Sequence, residues 1–148
     1  MSPRRLFRTV ALAEAVTWAL LLLGMVLKYV TGTTELGVRV FGMAHGVVFV
    51  AFCVTTVVVA VDRRWSAGRV LLALASAVPP FATVPLDRWA ERRGWLAETW
   101  RLAAGPGDGP FDRPAAWLVR HPARGVATAV VAVAALTGAA LLVGPPAG

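Results

Sequence analysis

Four stretches of the chain contain no Asp, Glu, Lys or Arg: residues 15–27, 40–61, 70–86 and 125–148. A helix needs ~20 apolar residues to cross hydrocarbon, so the second and fourth blocks are long enough as they stand. The first reaches that length over residues 6–30 if it takes in Glu14 and Lys28. The third is short and carries Pro79, Pro80 and Pro85, each of which removes a backbone donor and kinks a helix. Broken backbone survives at membrane depth only under a cover of protein or beside a water-lined cavity. This block therefore reads as a short kinked span or a re-entrant hairpin. With 57% hydrophobic residues in 148 and a mean hydropathy of +0.67, the chain lies well above ordinary globular composition. The pattern predicts an all-α membrane protein, a small helical bundle of three to four membrane-embedded helices plus an amphipathic interfacial helix. The expected divisions are a membrane core over 1–90 (helices about 6–30, 38–61 and 69–86), an interfacial region over 87–124, and a C-terminal transmembrane helix over 125–148.

The net charge of +7 comes almost wholly from arginine. Because these arginines flank the apolar blocks, the expected partner is a lipid bilayer with anionic headgroups. No nucleic-acid motif accompanies the basic charge, so no nucleic-acid partner is expected. Their distribution also bears on topology. Four spans would put basic residues at best 9 to 6 across the membrane, whereas a re-entrant third block puts them 13 to 2 with the N-terminus inside. The positive-inside rule favours the second arrangement, while block length leans towards a span, and orientation stays open. The N-terminal run begins like a signal peptide, but Glu14 interrupts it and no A-x-A site follows, so a retained first helix is expected. Arg, Ala and Val bias suggests a GC-rich bacterial source and a multi-pass protein of the cytoplasmic (inner) membrane.

DRWAERRGWLAETWRLAA, residues 87–104, places Trp89, Leu96, Trp100 and Ala103 on one stripe and predicts an amphipathic helix in the headgroup plane. Trp65, Trp89, Trp100 and Lys28 are the expected interface anchors. In the last block Ala134 and Gly138 stand four apart, which permits close helix packing.

The few polar side chains inside the apolar blocks are the candidate functional residues. Glu14 and Lys28 share a helical stripe but lie about 21 Å apart along the axis, too far to pair. If the first hairpin turns near residues 33 and 34, Glu14 is level with Cys53, near Thr55 and Thr56, with Ser76 at comparable depth. Glu14, Thr55, Thr56 and Ser76 then form a buried polar cluster, with His45 opposite Leu22, between Lys28 and Glu14 in depth. Such a ladder resembles a proton or ion path. The plainer reading, ranked first, treats Glu14 and His45 as hydrogen-bonded glue between helices at ~0.6 kcal/mol per contact. Catalysis has little support: one His and one Glu give neither a metal ligand set nor a nucleophile, base and orienter. No catalytic residue, metal or cofactor is expected. Cys53 stands alone, so no intrachain disulfide can form.

Leu6-Phe7-Arg8, Ala13-Glu14-Ala15 with Trp18, Gly24-Met25, Lys28-Tyr29, Gly42 with His45-Gly46 and Phe49, Trp65-Ser66, and Ser76 with Pro80-Phe81 stand in fixed order. Over about residues 5–90 this pattern resembles a family of small bacterial integral membrane proteins catalogued as a domain of unknown function. The resemblance implies a three-segment membrane core with polar marks at Glu14, Lys28, His45 and Ser76, and it implies no activity. Residues beyond about 90 depart from it and look like an added module. The expected function is that of a non-enzymatic structural, assembly or accessory subunit, with a membrane-protein partner or a homo-oligomer. The alternative is a transporter-like or lipid- or ligand-handling protein with a titrating Glu14/His45 site.

Overall fold

The structure, a computed structural model, describes residues 1–105 and 107–143, the last helix largely as backbone. The described residues form helices and no strands: α1 Pro3–Met25, extended by a π-helical turn at Val26–Val30, then α2 Leu36–Arg63, α3 Ala67–Ala75, α4 Thr83–Arg92, α5 Arg101–Ala104, α6 Asp112–Arg120 and α7 Pro122–Val143. Two of these, Pro3–Val30 and Leu36–Arg63, at 28 residues each, are long and apolar enough to cross a membrane.

Ser2 starts α1 by accepting a 3.2 Å hydrogen bond from the Arg5 amide, and Pro3 occupies the first turn, where its missing donor costs nothing. At the far end, Gly32 takes the left-handed conformation (φ +63°). The chain then folds back on α1: the Thr33 amide donates to the Leu27 carbonyl at 3.0 Å. This retreat starts α2 beside the last turns of α1 instead of beyond them. The two backbones touch at Gly24 and Gly37, where a Cβ on Gly24 would fall 2.7 Å from the Gly37 carbonyl carbon. The expected turn near residues 33 and 34 therefore gives the wrong register. His45 lies opposite Thr17 and Trp18, not Leu22, more than a helical turn closer to Glu14 than expected. Further along, Phe7 meets Phe52 with ring centroids 5.4 Å apart.

The third apolar block folds into a helical hairpin. α3 starts beside Trp65, which contacts Phe7 at 6.0 Å. It ends where the Trp18 indole donates to the Ala77 carbonyl at 3.4 Å. Phe7 and Trp18 are about 16 Å apart along a helix axis, roughly half the thickness of a bilayer's hydrocarbon core. Pro79 and Pro80 make the tip, Phe81 turns the chain with φ +65°, and α4 returns antiparallel to α1.

The expected amphipathic helix over 87–104 is not continuous. α4 stops at Arg92 because Gly94 adopts φ +67°. The Gly94 amide then donates to Glu91 and the Trp95 amide to Ala90, both at 2.9 Å, a Schellman closure that ends a helix where glycine permits the left-handed turn. Trp95 and Leu96 then plunge into the core with Phe7, Phe52 and Trp65. The predicted C-terminal helix starts three residues early, at Pro122, and is described to Val143. Residues 144–148 of that prediction lie outside the described residues, as does the side-chain environment of Gly138 in the Ala134/Gly138 pair.

Candidate functional site: a polar seam between α1 and α4

On α1, Arg4, Arg8, Ala11 and Glu14 recur at three- and four-residue spacing and so share a face. On α4, Thr83, Asp87 and Glu91 do the same. Antiparallel packing zips the two rows together. At the deep end the Thr83 hydroxyl lies 2.8 Å from Glu14 Oε2 and 3.1 Å from the Ala11 carbonyl oxygen. In the middle Arg8 Nε donates to Asp87 Oδ2 at 3.0 Å. At the outer end Arg8 and Arg4 both pair with Glu91, and Arg4 also pairs with Glu98. The gradient in exposure decides which ties matter. Glu14 and Thr83 are fully buried and Asp87 is 4% exposed, whereas the Glu98 side chain is 60% exposed, where an ion pair is worth little.

His45 approaches the seam from α2. Its Nδ1 lies 3.1 Å from Thr17 Oγ1, which also donates to the Glu14 carbonyl at 2.9 Å. Its ring is tilted against that of Trp18, with centroids 4.6 Å apart. One carboxylate oxygen, Glu14 Oε1, is buried without a hydrogen-bond partner among the described residues, as are Asp87 Oδ1, Asp62 Oδ2 and Thr56 Oγ1.

The residues expected around Glu14 distribute unevenly. Thr55 and Thr56 are buried but follow Phe52, at the level of Phe7, about two turns from Glu14. No hydrogen bond joins them to Glu14. Ser76 does reach the depth of Trp18, but its hydroxyl donates to the Ala73 carbonyl at 2.6 Å. The hydroxyl that meets Glu14 is that of Thr83, on the returning arm of the hairpin. Among the expected anchors, Trp65 is 9% exposed and donates through its indole to the Trp95 carbonyl at 3.1 Å, so it is a core residue. Trp89 is partly exposed, Trp100 donates to the Met1 carbonyl at 2.8 Å, and Lys28 lies 3.4 Å from Glu35.

Sequence reasoning missed a second polar centre at the arginine-rich end. Arg101 donates to the last carbonyls of α2, Asp62 at 2.7 Å and Val61 at 3.1 Å, and binds Asp112 Oδ1 at 3.1 Å. The fully buried Asp62 accepts from the Leu102 amide at 2.9 Å. Hydrogen bonding from Arg101 holds the Asp112 carboxyl below its ordinary value, against an opposing effect of desolvation. Only the closing of α2, at Arg64 in the left-handed conformation, marks where such a cap would be needed.

No group of three or more His, Cys, Asp or Glu is placed to hold a metal among the described residues. Two apolar helices of membrane-crossing length, with polar side chains turned inward along one seam, define a small all-helical protein with two candidate membrane spans. The chain belongs to the family described as "Domain of unknown function (DUF3817)", which matches residues 4–92. That span closes at the last residue of α4, so it takes in the whole seam except Glu98. The chain is 50% identical over 95 residues to the Streptomyces coelicolor protein named "Putative membrane protein SCO5905", a match covering 64% of this chain and 11% of that relative. The chain thus matches only a small part of the length of its relative. No solved structure matches.

Proposed function

We propose that the protein is a non-enzymatic accessory or assembly module of the bacterial cytoplasmic membrane, which presents a rigid helical core for packing against a membrane-protein partner or a second copy. The carrying observation is how its polar groups are used. Arg4, Arg8, Thr83, Asp87 and Glu91 bind one another across α1 and α4, and Arg101 ties α2 to α6. Each of these groups holds elements together. The match to a small part of a much longer relative supports a module that also works inside larger chains. In this reading α1, α2 and the C-terminal helix span the bilayer. The α3–α4 hairpin re-enters it, and the 13 basic residues of the tail, the second connection and the 87–124 region face the cytoplasm. Purification of the full chain in mild detergent tests the proposal. A stoichiometric protein partner or a defined oligomer supports it, and a monomer without partners refutes it.

One observation favours a second reading, a titrating site for a proton or small ligand: Glu14 Oε1 is buried without a partner among the described residues, and Thr17 links the same residue's backbone to His45. Glu14→Gln and His45→Ala separate the two. A titrating site predicts intact protein that has lost a pH-dependent flux or binding signal in both variants, whereas an assembly role predicts that Glu14→Gln, which keeps a hydrogen bond to Thr83, is tolerated and that His45→Ala alters abundance or complex formation.

A further inference from the structure

The outer face of the α3–α4 hairpin carries a groove of about 470 Å³ bordered by Leu72, Ala75, Pro79, Ala82, Leu86 and Trp89. Its walls are almost wholly apolar, and it runs from the proline tip towards the arginine-rich end. From Pro79 to Trp89 is about 15 Å along the hairpin arm, the depth of hydrocarbon in one leaflet. At the outer end the chemistry changes abruptly. Trp89 and Trp95 meet edge to face at 4.7 Å. The Arg93 guanidinium lies over the Trp89 ring at 5.1 Å, and that of Arg69 over the Trp95 ring at 4.9 Å. Both arginines are exposed, and neither forms an ion pair among the described residues. Stacking on indole fixes two cations at the mouth of an apolar slot while leaving their donor edges free.

We infer that this groove binds an anionic phospholipid, with one acyl chain lying along Ala75 and Ala82 and the phosphate held between Arg69 and Arg93. Charge complementarity selects the occupant. A neutral apolar peptide would leave both guanidiniums unused, whereas a lipid phosphate accepts from each through charge-assisted hydrogen bonds. The inference requires the hairpin to sit in lipid, as in the proposed topology, but not the assembly role.

The full chain is reconstituted in vesicles of equal phosphatidylglycerol and phosphatidylcholine, extracted, and the retained lipid is counted by native mass spectrometry. Wild type should retain one phosphatidylglycerol in preference to phosphatidylcholine. Arg69→Gln and Arg93→Gln should each cut that preference about fivefold, the effect of one arginine near a lipid surface. Ala75→Phe, which fills the slot, should abolish retention of either lipid. Arg5→Gln, an exposed arginine at the same end outside the groove, should leave the ratio unchanged. Equal retention of the two lipids by wild type overturns the inference, and so does an Arg5→Gln effect as large as that of Arg69→Gln. Far-ultraviolet circular dichroism confirms that each variant is folded, and the wild-type ratio decides the matter if one is not.

Discussion

Thr83 Oγ1 lies 2.8 Å from Glu14 Oε2 and 3.1 Å from the Ala11 carbonyl oxygen, so a single hydroxyl joins the deepest carboxyl of α1 to the first turn of α4. The hydroxyl has one proton for two acceptors, and the second carboxyl oxygen has no partner. The returning arm, α4, is thereby pinned to the first helix at its inner end by one side chain, while the outer end is held by arginine–carboxylate pairs.

Removing that hydroxyl with Thr83→Val is expected to destabilise the fold by about 1–3 kcal/mol, because a buried carboxyl then loses its one hydrogen-bond partner. Glu14→Gln should cost much less, since an amide can donate to Thr83 Oγ1 and leave the hydroxyl proton to Ala11. Glu14→Leu added to Thr83→Val should recover part of the loss, because no orphaned carboxyl remains. Thermal unfolding in detergent measures all three. Strict additivity of Glu14→Leu and Thr83→Val would mean that the two residues do not act as a pair.

The contact of Gly24 with Gly37 makes a sharper steric prediction. An alanine methyl at position 24 would meet the Gly37 carbonyl carbon at 2.7 Å and the Val38 nitrogen at 2.8 Å, and backbone cannot swing aside as a side chain can. Gly24→Ala should therefore cost about 1–3 kcal/mol as overpacking, despite the better helix propensity of alanine. At Gly46 a Cβ has nothing within 4 Å, so Gly46→Ala should be neutral or slightly stabilising. Comparing the two in one unfolding assay isolates the close approach from helix propensity.

The seam was half legible in the sequence. Uncharged blocks and a lone Glu14 locate α1, α2 and a buried carboxyl, and Pro79 and Pro80 mark the tip of the α3–α4 hairpin. What escaped is which hydroxyl meets Glu14. Ser76 was placed at the right depth on the entering arm. In a hairpin turning at Pro79 and Pro80, reflection through that turn carries residue 76 onto residue 83, and Thr83 is the one that faces inward. The tryptophan stripe through 87–104 failed for a local reason: Gly94 follows Arg92 and Arg93, a helix stop that outweighs periodicity. His45 lies more than a turn from the level that a turn at residues 33 and 34 implies, because Thr33 hydrogen-bonds back to Leu27. The Arg101 hub left little local trace, since two of its acceptors lie 39 and 40 residues away in sequence and the third, Asp112, lies 11 away.

Strong acid should open the α5–α6 corner. Hydrogen bonding from Arg101 lowers the Asp112 carboxyl from its ordinary 3.8. A depressed carboxylate contributes stability that is fully present above its unfolded value and is lost as pH falls through its lower folded value. Amide exchange at Leu102 and Gly109, whose N–H groups bond Asp62 and Asp112, should therefore stay slow at neutral pH and accelerate only below about pH 4. Asp112→Asn should show fast exchange at every pH, with the acid transition abolished. An unchanged transition in Asp112→Asn would assign it to another group.

The proposed topology makes the most direct prediction, and three single-cysteine positions in a Cys53→Ser background test it. Ser2 lies at the arginine-rich end and Glu35 in the loop between α1 and α2, where its ion pair with Lys28 is exposed and losing it costs little. Val78 sits at the hairpin tip and is 67% exposed, an apolar side chain that lipid would cover but water would not. A membrane-impermeant maleimide added to intact cells whose outer membrane has been permeabilised should label Glu35→Cys. Ser2→Cys should react only after the inner membrane is opened. Val78→Cys should resist the reagent under both conditions yet react once detergent strips the lipid. Labelling of Val78→Cys from outside would show that α3 crosses the bilayer, which would also separate α4 from the Arg4 and Arg8 side chains it binds.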